Sequence, residues 1–253
     1  MTATDAYTES FGERGSKYDR AMRLVADSRK EEFMAVVEEL AAVKAGLVLD
    51  VPAGGGYLRR YLPERFVYKA YEPVGSFKDS LKKTGTSDSR SGLLPFPQDT
   101  ASVDIVVSVA GVHHFADKLP LFIEMARVAK PDGKLVLADV HQHSPVASFL
   151  DGYIGKSNSS GHDGIYLCDR TLEELDASGW HVESARRKHY HWVFNSQQQM
   201  LHYCHLLFDI CHDDFDLTLG HIERELGVDT LSDNQLGLRW DLCVITAEKK
   251  QVA

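Results

Sequence analysis

The sequence has 253 residues and a formal net charge of −9 at pH 7, and 43% of its residues are hydrophobic. This length suffices for one well-packed domain with an added cap. The acidic balance and the lack of a Lys/Arg run argue against DNA or RNA as the main partner. No apolar stretch of about 18 residues occurs, so we expect no membrane-spanning helix and no membrane partner.

The N-terminal residues and the cysteines indicate in which cellular compartment the protein is found. Residues 1–10 are polar and include acids, which is unlike a signal peptide. Four widely scattered cysteines suit free thiols in a reducing environment. They are Cys168, Cys204, Cys211 and Cys243. We therefore expect a cytoplasmic protein.

Residues 11–42 are predicted to be helical. In the second half, apolar side chains at helical spacing predict a face that packs beside a sheet. This face consists of Phe33, Met34, Val36, Val37, Leu40 and Val43. The charged side chains expected to stay exposed are Arg29, Lys30, Glu31, Glu32, Glu38 and Glu39.

A glycine-rich turn follows the first predicted strand. The apolar run Leu47–Val51 predicts a buried strand, Gly54–Gly56 predict a tight turn, and residues 57–62 predict the start of a helix. Glycine lets the backbone approach a ligand closely and adopt a positive φ. The turn is therefore a candidate ligand-binding loop.

The acidic residue Glu72 follows this loop at a sequence spacing that suggests a role in ligand binding. Glu72 ends the second predicted strand, residues 66–71, and lies 22 residues beyond Asp50. At about this offset in open α/β sheets, a carboxylate accepts hydrogen bonds from ribose hydroxyls. Loop and carboxylate together predict a nucleoside-binding first half of such a sheet.

Strands and helices then alternate, which predicts a parallel sheet with helices on both faces. Residues 103–109 and 134–140 are predicted strands, and a helix between them ends at residues 126–130. The polar stretch 84–92 is a weak third strand. After a long connection over residues 144–169, we expect a helix at 171–178, a strand at 182–193, a helical region at 196–227 and a final strand at 239–247.

Five motifs in order make the succession specific. The glycine turn and Glu72 are followed by Leu94-Pro95-Phe96, by His113-His114 after a strand, and by the turn Pro131-Asp132-Gly133 before the next strand. This pattern, over about residues 7–140, resembles the class I S-adenosyl-L-methionine (SAM)-dependent methyltransferases. It is most similar to the small-molecule branch with ubiquinone/menaquinone-type C-methyltransferases and sugar O-methyltransferases.

The resemblance implies a fold and a domain organisation. The fold is α/β, with a Rossmann-like, seven-stranded, mostly parallel sheet, helices on both faces, an antiparallel last strand and a helical cap. Residues 1–42 would form an N-terminal helical lid. Residues 43–253 would form the SAM-binding domain, with a helical insertion at about 196–235.

The resemblance also implies the cofactor contacts. Tyr18, in Tyr18-Asp19-Arg20, matches a lid tyrosine, and Glu72 matches the ribose-binding acid. Pro52 stands where the family has glycine. The other implied contacts are Asp50, Ala53, Gly54, Gly56, Pro73, Ser108, Val109 and His114.

The adenine site departs from the family pattern. Arg90 occupies the place of the usual aspartate, so either Asp88 or the backbone of Ser91 and Gly92 would contact the base.

The catalytic candidates follow the fourth and fifth strands of the family pattern. His113 is the first candidate for a general base, because a histidine that titrates near neutrality suits proton removal. Asp139, at a strand end, would orient or assist it. His141 is a further candidate, and with Tyr153, His162 and Tyr166 it lies where the family builds its acceptor pocket.

Two histidine pairs raise the question of a metal. His141 and His143 would share one side of a strand, and His202 and His205 would be neighbours on a helix. Neither pair matches a recognised zinc spacing, so no functional metal is expected.

The predicted activity is methyl transfer from SAM to an oxygen, nitrogen or carbon atom of a small molecule. Two alternatives stay open. One is a SAM-using enzyme of other chemistry, either cyclisation or aminocarboxypropyl transfer, and the other is a non-catalytic SAM-binding subunit.

Overall fold

The computed structural model describes residues 7, 12, 14–77, 81 and 93–251. Its centre is one sheet in the spatial order β2-β1-β3-β4-β7-β5, with β6 paired to β7. The strands are β1 (Gly46–Asp50), β2 (Phe66–Ala70), β3 (Val103–Val109), β4 (Ala129–Asp139), β5 (Trp180–Phe194), β6 (Val228–Thr230) and β7 (Leu236–Lys249).

Strand directions confirm the predicted fold class. The pairs β1–β2, β1–β3 and β3–β4 are parallel. Strand β7 is antiparallel to β4, β5 and β6. Among the described strands, β7 therefore runs against all the others.

Helices cover both faces of the sheet. They are α1 (Gly15–Leu24), α2 (Lys30–Val37), α3 (Leu119–Val128), α4 (Pro145–Phe149), α5 (Asp169–Ala177), α6 (Gln197–Phe208) and α7 (Phe215–Glu225). Because side chains alternate along a strand, Val48 of β1 packs in one core with Phe33 of α2, and Leu49 packs in the other with Phe122 of α3. None of the described helices is long and apolar enough to cross a membrane.

The hairpin-like pair β5–β7 is longer than the rest of the sheet. The last pairing of β4 with β7 joins Asp139 to Cys243, whereas β5 pairs with β7 onward to Phe194 and Leu236. The ends of both strands therefore extend beyond the carboxyl edge of the parallel strands. Ligands bind at this edge in open α/β sheets.

Several predicted elements need correction. Residues Tyr57–Tyr61 form a short 3₁₀ helix, which begins after the left-handed Gly56 (φ 73°). The helical region 196–227 is divided after Phe208, where Asp209 is left-handed (φ 54°). The expected insertion at 196–235 also contains strand β6. The predicted weak strand 84–92, with Asp88, Arg90, Ser91 and Gly92, lies outside the described residues.

Candidate functional site

A small cavity lies at the carboxyl ends of β1 and β3. We call it the glycine-loop cavity. The strand ends and the loops that follow them line one side, with Asp50, Ala53, Gly54, Val109, Ala110 and Gly111. Tyr7, Tyr18, Arg29 and Tyr57 also line it.

Glycine is required at two positions around this cavity. Gly54 adopts a φ of 53°, a left-handed conformation that side chains disfavour. At Gly111 an added Cβ would lie 2.8 Å from Cγ of Pro52. The sequence pattern identified the first of these glycines.

Glu72 lies buried directly beneath the loop. Its Oε2 accepts hydrogen bonds from the Tyr7 hydroxyl (2.7 Å) and the Gly54 N–H (2.8 Å), and its Oε1 accepts from the Val74 N–H (2.9 Å). Burial raises the pKa of Glu72 to about 7, against the lowering effect of these hydrogen bonds. The carboxyl thus fixes the loop and keeps acceptor capacity beside the cavity.

Asp50 is a second buried acid in this cavity. Its carboxylate accepts a hydrogen bond from the Tyr68 hydroxyl at 2.7 Å. Burial raises the pKa of Asp50 to about 7, and the Tyr68 hydrogen bond partly opposes that rise. Both acids therefore change charge near neutral pH.

A neighbouring cavity lies below the extended ends of β5 and β7. We call it the aromatic cavity. Trp192 of β5 stacks on Trp240 of β7 with ring centroids 4.0 Å apart, and Phe208 of α6 packs against both rings. The other side carries His113, His114 and His162. The cavity therefore offers a flat apolar wall opposite polar rings.

The two cavities meet at Tyr18, Arg29 and Ala110, which line both. The Arg29 guanidinium forms a buried ion pair with Glu32, donates to the Tyr18 hydroxyl, and lies 4.9 Å from the Trp192 ring centroid. Ala110 adopts a φ of 49°, and this strained backbone is one that functional sites tolerate. Because the side chain of Ala110 is small, it does not separate the two cavities.

Asp139 and His113 form a buried pair at the floor of the aromatic cavity. Asp139 Oδ1 accepts from His113 Nδ1 (2.7 Å) and the Val140 N–H, and Oδ2 accepts from the N–H groups of Val112 and His113. Burial alone would raise the pKa of Asp139, but His113 and these hydrogen bonds keep it below its usual value. The carboxylate therefore holds the His113 ring in one orientation.

His162 reaches the same cavity from the connection after β4. Its Nδ1 lies 2.9 Å from Asp151 Oδ1, which also accepts from the Tyr166 hydroxyl at 2.5 Å. The His162 ring lies 5.6 Å from the His113 ring and 5.8 Å from the His114 ring, measured between centroids. His114, expected beside the cofactor, lines the aromatic cavity instead.

The structure brings some predicted residues together and leaves others apart. Of the predicted cofactor contacts, Tyr18, Asp50, Ala53, Gly54 and Val109 line the glycine-loop cavity. The predicted residues within the described part of the chain that line neither cavity are Gly56, Glu72, Pro73, Ser108, Asp139, His141, Tyr153 and Tyr166.

These residues have other surroundings. Ser108 is fully buried in β3, and Gly56 lines a separate surface groove. His141 Nδ1 accepts from the His143 N–H, and Tyr153 shares a hydrogen bond with Thr218. Tyr166 packs behind the ring of His113.

Sequence reasoning missed four residues of the site. Arg29 and Glu32 were expected on an exposed face, but they are 4% and 1% exposed. An Arg and a Glu three residues apart on a helix occur equally on solvated faces, so nothing in the sequence marked them. Trp192 and Trp240 were part of the predicted strands, but only the register of β5 with β7 makes them diagonal neighbours whose rings stack beside the cavity.

Comparisons with known proteins agree with this fold. Residues 49–137 match the family model described as a methyltransferase domain. Over 144 residues the chain is 30% identical to the uncharacterized methyltransferase YcgJ of Bacillus subtilis, covering 51% of this chain and 53% of that relative. It is 28% identical over 127 residues to trans-aconitate 2-methyltransferase of Mycobacterium ulcerans, covering 49% and 48%. The chain thus spans about half the length of the curated relatives it matches.

A solved structure extends the agreement in fold. A SAM-dependent methyltransferase from Thermotoga maritima superposes with a TM-score of 0.61, at 14% identity, over 96% of this chain and 100% of that chain. The sheet has the Rossmann-like fold of its structural neighbours.

Proposed function

We propose that the protein is a class I methyltransferase that transfers the methyl group of SAM to a small-molecule acceptor. The observation that carries the proposal is the meeting of two cavities at Tyr18, Arg29 and Ala110. One cavity has a carboxylate at the nucleoside-binding edge of the sheet, and the other has a histidine oriented by an aspartate. Methyl transfer needs two such adjacent sites, since its rate depends on positioning the reactants in line.

In this proposal SAM occupies the glycine-loop cavity. Glu72 would accept the ribose hydroxyls, and the backbone around Gly54 would leave room for the amino acid end. Asp50, Ala53 and Val109 would line the ligand, and Tyr18 would face it from α1. The methyl group would then point past Ala110 toward the aromatic cavity.

The acceptor would lie in the aromatic cavity with its apolar face on Trp192 and Trp240. Aromatic rings supply large apolar contact area and stack on flat groups. This wall favours a partly apolar acceptor of the ubiquinone/menaquinone or sugar-methylating branch, with its hydrogen-bonding groups on the histidine side.

His113 would remove the acceptor proton where one is lost. Because Asp139 accepts from Nδ1, the neutral ring carries its lone pair on Nε2. The sulfur–methyl bond breaks as the bond from methyl carbon to acceptor forms, and the acceptor proton passes to Nε2. The products are the methylated acceptor and S-adenosylhomocysteine.

The sulfur product separates the proposal from its alternatives. The protein is incubated with SAM and a cell extract, and the sulfur products are identified by mass, with Glu72→Ala as the control. S-adenosylhomocysteine that forms with the wild type and not the variant supports methyl transfer. Methylthioadenosine would instead indicate cyclisation or aminocarboxypropyl transfer, and SAM binding without turnover would indicate a binding subunit.

A further inference from the structure

We propose that His113, His114 and His162 bind one divalent transition-metal ion at the side of the aromatic cavity. One ring nitrogen of each lies within 4.8 Å of one ring nitrogen of the other two. Two of these residues follow β3, and the third comes from the connection after β4. Among the described residues, this is the one group of at least three potential ligands that meets this distance.

The spacing is close to what a metal ion needs. Zinc–nitrogen bonds of about 2.0–2.1 Å in tetrahedral geometry hold two imidazole nitrogens about 3.4 Å apart. The three ring nitrogens would therefore have to approach one another by up to about 1.4 Å to complete a three-histidine set.

Two of the three rings have the support that metal-bound histidines have. A ligating histidine usually donates its second N–H to a carboxylate, which fixes the tautomer and the ring orientation. His113 Nδ1 lies 2.7 Å from Asp139 and His162 Nδ1 lies 2.9 Å from Asp151. Both rings are therefore left with Nε2 as the ligand atom.

Asp151 is itself held in place. It accepts hydrogen bonds from the Tyr166 hydroxyl and the Gly164 N–H in addition to His162. Each carboxylate thus belongs to a wider hydrogen-bond network, as in supported metal centres.

Three protein ligands leave a coordination position open, as catalytic zinc sites do. Here the open position would face the aromatic cavity, where an acceptor oxygen or nitrogen could bind and become easier to deprotonate. This use of the ion rests on the proposed methyl transfer but replaces His113 as the proton acceptor, because the Nε2 lone pair of His113 would bind the ion. Ion binding itself does not rest on the proposed function. The proposed three-histidine site differs from the sequence-based expectation, which considered the pairs His141–His143 and His202–His205 and expected no functional metal.

The test is titration of the chelator-treated full chain with Zn²⁺ by calorimetry, and with Co²⁺ by visible absorption. We expect one ion per chain. The variant Asp151→Asn, which changes the carboxylate that holds His162, should weaken binding 10- to 100-fold. His114→Ala and His162→Ala should weaken it at least as much. The exposed histidine variants His143→Ala and His202→Ala are matched controls and should bind as the wild type does.

Unchanged Zn²⁺ affinity in both His114→Ala and His162→Ala, or no binding by the wild type, would overturn the metal site. SAM affinity measured on the same samples shows whether each variant is folded and tests the proposed function separately. Turnover gives a further distinction. If the ion acts in the reaction, removal of His114 or His162 lowers turnover as much as removal of His113, whereas a proton acceptor working alone depends on His113.

Discussion

The hydroxyl of Tyr7 donates a 2.7 Å hydrogen bond to Oε2 of Glu72, the carboxylate that the sequence marks for a ribose. The Tyr7 ring is 3% exposed and stacks on Phe115 with centroids 5.5 Å apart. A residue near the N-terminus therefore uses acceptor capacity that a nucleoside would need. In the proposed function, SAM binding exchanges this hydrogen bond for ribose contacts.

Tyr7→Phe should tighten SAM binding. The variant keeps the ring and its stacking but removes the hydroxyl that competes for Glu72. A hydrogen bond of this kind contributes about 0.5–1.5 kcal/mol, so calorimetry should give roughly a 2- to 10-fold lower Kd. Weaker binding by Tyr7→Phe would instead mean that the hydroxyl contacts the bound nucleoside.

Glu72→Ala should weaken SAM and S-adenosylhomocysteine binding. The ribose hydroxyls lose their acceptor, at a cost of about 1–3 kcal/mol, which is roughly 5- to 150-fold in Kd. Glu64→Ala removes an exposed carboxylate nearby in sequence and should leave Kd unchanged. Equal affinities in all three proteins would mean that the cofactor lies elsewhere.

SAM affinity should rise with pH between about 6 and 8. The pKa of Glu72 and that of Asp50 are both raised to about 7, so deprotonation restores carboxylate acceptors over this range. Tyr7 and Tyr68, which donate to these acids, have pKa values raised well above 10 by burial and stay protonated. Calorimetry across this range should show a shallower rise for Glu72→Gln, and an identical slope would exclude Glu72 as the titrating group.

Glu72 and Asp50 also determine whether the free energy of unfolding rises or falls with pH. Between their ordinary range near pH 4 and about 7, the folded apo protein holds more protons on Glu72 and Asp50 than the unfolded chain does. Their contribution to the free energy of unfolding therefore falls as pH rises through this window. Urea denaturation of apo Glu72→Gln should show a weaker pH dependence than the wild type.

Removal of the proton acceptor should slow the reaction without loss of the cofactor. His113→Ala should lower turnover roughly 10²- to 10⁴-fold with SAM affinity nearly unchanged. Asp139→Asn should fall between that variant and the wild type, because an orienting group contributes less than the group that moves the proton. Full turnover in both variants would remove the base assignment and direct attention to Tyr166, which packs behind His113.

Arg29→Met should destabilise the fold. The change leaves the Glu32 carboxylate buried with its ion pair broken, which typically costs about 3–5 kcal/mol. Arg60→Met removes one partner of an exposed pair with Asp27, both side chains being 57% exposed, and should cost at most about 1 kcal/mol. Urea denaturation of the two variants compares these costs, and equal values would mean that the Arg29 pair is not a buried support.

Local sequence patterns predicted most of the elements of the fold. The spacing of Asp50, the glycine turn and Glu72 predicted a strand, a loop and a second strand, and all three are present because contiguous residues determine them. The start and end of β3 agree with the prediction, since a run of β-branched residues lies between polar turns. The helix expected at 57–62 is a single 3₁₀ turn, because the preceding glycines allow a tight left-handed turn.

The sequence by itself predicted the strands of a nucleoside-binding half-sheet and singled out Asp50, Gly54, Glu72, His113 and Asp139 as candidates at its edge, because these features depend on residues close in sequence. Tertiary structure alone decided which distant residues meet there. The antiparallel register of β5 with β7 carries Trp192 and Trp240 past the edge of β4, and the connection after β4 brings His162 to His113 and His114. Contacts of this kind depend on how distant elements pack together. The spacing of residues along the sequence predicts only the local structure of one element and its connection to the next.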